Sequence, residues 1–144
     1  MRRITMTRKF EFQTKTEDIE IAGKTYTLDF SDEKVMEYNR EFEQFFLKTQ
    51  DLQKKDVKDL SAKEQNEMFL EMRKLVKDFV DLMLGDGEFE RLYKESGNSL
   101  LNMVDMVYFL AEPIKEKAES IRADQLKKYT GLKVNANALP SSRE

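Results

Sequence analysis

Asp78, Asp81, Asp86 and Glu88 crowd around a glycine corner formed by Gly85 and Gly87. Oxygen ligands at that density could hold Ca²⁺. An EF-hand loop, however, sets its ligands at alternate positions and closes on a bidentate Glu. Here Leu82, Met83 and Leu84 fill the middle, so the spacing suits a solvated helix end better. Gly85-Asp86-Gly87 could also be taken for a phosphate loop. Such loops follow a strand and present a Lys or several free N–H groups, whereas this one follows a helical pattern and carries an acid. Paired carboxylates could do acid–base chemistry. The 28 acids are interspersed with 25 Lys and Arg, however, which is the pattern of exposed helix faces whose ion pairs carry little energy. The chain has no His and no Cys. That removes the commonest general base, the commonest metal ligand, thiolate chemistry and disulfides. These residues read as those of a non-enzymatic protein, with no metal and no cofactor expected.

The methionines are more informative. There are 8 of them and no Trp. Met68, Met72 and Met83 recur at helical spacing in one segment, and Met103 and Met106 accompany Phe109 in another. An unbranched, polarizable side chain adapts to irregular partners. Ordinary core filling accounts for any single Met. As a group, these six residues are the expected partner-binding set.

The elements that must position them follow from periodicity. Residues 8–30 alternate apolar and polar, first through Phe10 and Phe12, then Ile19 and Ile21, then Tyr26, Leu28 and Phe30. Period two predicts strand, with Ala22-Gly23-Lys24 turning between the last two runs. Ser31 then opens a helix whose apolar positions are Val35, Tyr38, Phe42, Phe45 and Phe46. That pattern fades near Gln50 into a charged loop. Ser61-Ala62-Lys63-Glu64 is a capping-box signature and starts a long helix that Gly85 closes. The expected corner has Gly85 left-handed and Phe89 and Leu92 folded back on Phe79 or Val80. Residues 87–96 suit a short helix ended by Gly97.

Asn98 or Ser99 caps a last helix that is apolar nearly all round. Leu100, Val104 and Val107 are expected to face the core, with Met103 and Met106 toward another side. Pro113 should kink this helix or end it near Glu112. The fold class is therefore α+β, an N-terminal antiparallel β-hairpin element packed on a bundle of three to four helices. One domain is expected over residues 1–129, followed by a disordered tail over 130–144.

Charge narrows the partners. The net charge is -3. Residues 31–112 hold 12 basic and 19 acidic side chains, which argues against nucleic acid. No window reaches the roughly 18 apolar residues of a membrane span, and the basic start MRRITMTRKF lacks the apolar core of a secretory signal. No membrane association is expected.

Two motifs carry a family resemblance. One is I-x-G-K-x-Y-x-L-D over Ile21–Asp29. The other is F-x-D-x-x-L-G-x-G-x-F-x-x-L-Y over Phe79–Tyr93. Their order, with a helix between them and a Gly-Asn-Ser break before the last helix, resembles the tail assembly chaperones of long-tailed phages and prophages of Gram-positive hosts, over roughly residues 8–125. The resemblance implies a cytoplasmic, non-enzymatic assembly factor. It would coat the tape measure protein until tail tube subunits polymerise around it, would self-associate, and would be absent from the finished particle. Many proteins of this type are made in two forms, the longer by a frameshift. The alternatives are a structural tail or connector protein retained in the virion, or a small prophage regulatory protein.

Overall fold

A computed structural model describes residues 6–129. The chain forms a hairpin of β1 (Thr16–Ile21) and β2 (Lys24–Asp29), then helices α1 (Asp32–Gln53), α2 (Ala62–Leu84), α3 (Glu88–Glu95) and α4 (Leu100–Tyr129). A 3₁₀ turn at Val57–Asp59 lies between α1 and α2. This is the α+β class that the sequence predicts. The expected tail at 130–144 lies outside the described residues.

The hairpin is antiparallel, with Ile21 opposite Lys24 and Thr16 opposite Asp29. Its two-residue loop, Ala22-Gly23, has φ of 51° and 78°. Positive φ at both central positions is the hairpin turn whose twist matches its strands. The expected first run, Phe10 and Phe12, is not a strand. Both rings are exposed, and they pack edge to face on each other at 5.0 Å. Alternation supplies a face but not a partner, and β1 pairs only with β2 among the described residues.

Tyr26 and Leu28 project from the inner face of β2, and Phe30 just beyond its end, into the core. There they meet the buried stripe of α1 (Val35, Tyr38, Phe42, Phe45) and that of α2 (Val76, Phe79, Val80, Met83). Spacings of three and four residues put each set on one face of its helix. Tyr108 of α4 lies beside Phe42 and Phe45, at 5.7 and 6.2 Å between ring centroids. Lys117 lies farther along α4 over the ring of Phe30. Rising numbers on α4 therefore accompany falling numbers from α1 back to Phe30, two residues before it, so the two helices run antiparallel.

The helix ends show why the chain turns where it does. Ser61 accepts the Glu64 amide at 3.1 Å while the Glu64 carboxylate accepts the Ser61 amide at 2.9 Å, a complete capping box. That pairing also holds the Glu64 carboxyl below its ordinary range. Ser31 occupies the N-cap of α1 without a side-chain cap; its amide instead donates to Asp29. At the start of α4 the capping residue is Ser99, whose Oγ accepts the Asn102 amide at 3.1 Å.

Pro113 does not end α4, which continues through Ile114 and Ala118 to Tyr129. A proline removes one bond and crowds the preceding turn at a cost of ~3 kcal/mol. Fully buried Ile114 and Ala118 lie on the same inward stripe as Val107 and Leu110, and their packing offsets that cost.

Candidate functional site

The motif at Phe79–Tyr93 is a structural corner. Phe79, Phe89 and Leu92 are core. Tyr93 stacks on Phe89 with centroids 5.4 Å apart, and the Arg73 guanidinium covers both rings at 5.1–5.2 Å. Gly85 has φ 120° and ψ 155°. This is a region open to glycine, but it is not the left-handed helical one expected for it. Gly87 takes the left-handed position instead, at φ 84°.

Gly87 is also the N-cap of α3, and it has no side chain with which to cap. Asp81 supplies the missing acceptor from the preceding helix. Its Oδ1 receives the Phe89 amide at 2.9 Å, and its Oδ2 lies 2.6 Å from Lys77 Nζ. The carboxylate thus serves an orphan amide at a helix N-terminus, where negative charge is favoured. Replacing Asp81 with Ala is expected to lower stability by about 1–2 kcal/mol, as loss of a good N-cap does. Chemical denaturation checks this, and an unchanged midpoint would mean that Asp81 does not cap α3.

The other motif meets this corner from the hairpin. Glu88 Oε2 lies 3.2 Å from Lys24 Nζ, and its Oε1 lies 3.2 Å from Arg91 Nε. The Tyr26 hydroxyl donates to the same carboxylate and accepts from Arg91. Lys24, Tyr26, Glu88 and Arg91 form a closed ring of partners that pins β2 onto α3. The Tyr26 hydrogen bond, with help from Arg91 and Lys24, holds the Glu88 carboxyl below its ordinary value of 4.5. Burial, followed by the Glu88 contact, pushes the Tyr26 phenol above 10.0.

A depressed carboxylate pKa adds stability that is complete above the unfolded value and is lost as pH falls through the folded one. Stability of the native chain is therefore expected to decline on acidification below about pH 4.5. The Glu88→Gln variant should show a shallower decline. Denaturation midpoints from pH 6 to pH 3 give the comparison, and parallel curves would remove Glu88 from the account. Asp29 and Glu64 titrate in the same direction in both proteins, so the difference isolates Glu88.

The expected partner-binding residues are not brought together. Met103 is 1% exposed and belongs to the core, contrary to its expected place on another side of α4. Met83 is core as well. The helix turns its inward centre through Met103, Val107, Leu110 and Ile114, and so moves Leu100 and Val104 to the rim. Met72 and Met106 are half-buried at the edge of the same core. Met68 lines a shallow groove with Leu52, Leu60, Glu64, Glu67 and Glu71. Of the six, only Phe109 is substantially exposed, at 57%.

An open apolar surface lies around Phe109, on the uncovered side that an all-round apolar last helix implies, but it is built from Leu101 and Tyr108 rather than from Met103 and Met106. Leu101 is 73% exposed and Tyr108 is 43% exposed. They stand seven positions apart on α4, so they share a stripe. Phe46 stacks beside Phe42 at the neighbouring seam of α1 and remains 40% exposed. Asp105 and Glu112 are interleaved on that stripe, both exposed. Neither makes an ion pair among the described residues. The signal in the sequence was the absence of any Lys or Arg between Lys94 and Lys115.

A family model described as a family of unknown function, DUF6673, matches residues 22–140. The chain belongs to that family. The match spans the Lys24–Tyr26–Glu88–Arg91 ring, the glycine corner and the outer face of α4, so all three features fall within the DUF6673 region. The chain matches no curated protein and no solved structure. Among the described residues, no helix is long and apolar enough to cross a membrane.

Proposed function

We propose that the chain is a tail assembly chaperone of a long-tailed phage or prophage. It binds the tape measure protein in the host cytoplasm, keeps it soluble during tail morphogenesis and performs no chemistry. The observation that carries this reading is the exposed apolar stripe of Leu101, Tyr108 and Phe109 on a helix whose inner face already fills the core. Exposed apolar surface of this kind, rimmed by polar groups, is what protein-binding sites present. The two motifs that carry the resemblance add support of another kind. Their residues cap, turn, pin or pack the fold that presents this stripe.

Tail tube subunits would displace the chaperone as they polymerise. The test is co-expression with the tape measure protein of the same phage or prophage, together with mass spectrometry of purified particles. The tape measure protein is expected in the soluble fraction only when the chain is present, and the chain is expected to be missing from particles. An equally insoluble tape measure protein would overturn the reading. Stoichiometric retention in particles would replace it with a connector role.

A further inference from the structure

We infer that the outer face of the first half of α4 is a docking site for a basic amphipathic helix. This deepens the proposed function and rests on it only for the identity of the client. Leu101, Asp105, Tyr108 and Glu112 follow one another at four, three and four residues, so they form one outward stripe. Phe109 stands beside them, next to Tyr108 and within one turn of both acids. The stripe therefore alternates apolar anchors with carboxylates that make no ion pair among the described residues.

An apolar helix face flanked by Lys or Arg satisfies both at once. It covers Leu101, Tyr108 and Phe109, and it places cations against Asp105 and Glu112. The site has length enough for such a ligand, because Leu101 to Glu112 spans about 16 Å at 1.5 Å per residue, or three turns. Anchors at this spacing are how a helical ligand is read.

The same charges argue against a second copy as the occupant. A two-fold dimer centred on Tyr108 and Phe109 with antiparallel α4 helices would set Asp105 opposite Glu112 of the other copy. A parallel arrangement would set each acid opposite itself. Both bring like charges together across an isologous contact.

Two labelled peptides of about 18 residues, long enough to form five turns, serve as probes. One carries Leu at i, i+3, i+4 and i+7 with flanking Lys, and the other has Glu in place of Lys. Fluorescence anisotropy is measured with the full chain, with Leu101→Ser/Phe109→Ser, and with Asp105→Lys/Glu112→Lys. All four positions are exposed, and circular dichroism and melting temperature verify that the variants are folded.

The Lys peptide is expected to bind the native chain and the Glu peptide to bind far more weakly. The Ser variant should lose about tenfold in affinity or more, equivalent to 1.4 kcal/mol. The Lys variant should reverse the preference between peptides. Native-like binding by either variant, or no binding of the Lys peptide to the native chain, overturns the inference. So does a native dimer, seen by sedimentation, that the Ser variant abolishes, because the face would then belong to a second copy.

The two proposals fail separately. A chain that binds the Lys peptide but leaves the tape measure protein insoluble contradicts the chaperone reading alone. A Ser variant that solubilises the tape measure protein as well as the native chain contradicts this surface alone.

Discussion

Replacing Phe89 with Ala is expected to lower stability by about 3–5 kcal/mol, the cost of removing a large aromatic from a closed core. Phe89 has no exposed surface. Its ring packs against both the Tyr93 ring and the Arg73 guanidinium, so the loss reaches beyond its own area. Because α3 is only eight residues long, it has little helical stability of its own and depends on Phe89 and Leu92 to stay docked. The whole corner is expected to loosen, with the hairpin, since Glu88 and Arg91 hold Tyr26 from the same short helix. Urea denaturation followed by circular dichroism measures the change. A loss below about 1 kcal/mol would mean that the corner packs in some other way.

Met103→Asp is expected to cost several kcal/mol, enough to leave a marginal domain unfolded, because a buried carboxylate with no partner is strongly penalised. Leu101→Asp, two residues earlier on the same helix, is expected to change stability by no more than about 0.5 kcal/mol, as exposed positions do. The contrast fixes the rotation of α4 about its axis. Comparable effects at the two positions would place the helix in a different orientation and would remove the outward stripe on which the functional reading depends.

Much of the fold was legible because local patterns agreed with tertiary packing. The capping box at Ser61, the helical stripe ending at Gly85 and the inward alternation of Tyr26, Leu28 and Phe30 each point to the arrangement found. The Phe10–Phe12 strand and a helix end near Glu112 are not found, for definable reasons. Phe10 and Phe12 have strand-like alternation, but pairing depends on a neighbour that their own sequence does not specify. Pro113 is a strong local breaker, yet apolar residues continue on one stripe beyond it, and the helix follows the packing.

The proposed binding surface was the least legible part. When a helix is apolar on most of its circumference, the sequence does not say which arc its neighbours will bury. Chemical type drew attention to Met103, whereas rotation about the axis buries it and exposes Leu101. Charge was the better guide. A stretch free of Lys and Arg, with Asp105 and Glu112 set among apolar residues, marks the arc that faces outward. The capping role of Asp81 was hidden for a related reason, since its amide partner lies eight residues away across the glycine corner.

The central claim is that a helical client lies on the outer face of α4. A photo-crosslinking amino acid placed at Leu101, at Phe109 and, as a control, at exposed Gln44 of α1 tests it in the co-expressed complex. Irradiation is expected to join the tape measure protein to the chain at positions 101 and 109 and to leave position 44 unreacted. Adducts at Gln44 alone, or none at Leu101 and Phe109 while the tape measure protein stays soluble, would contradict the claim.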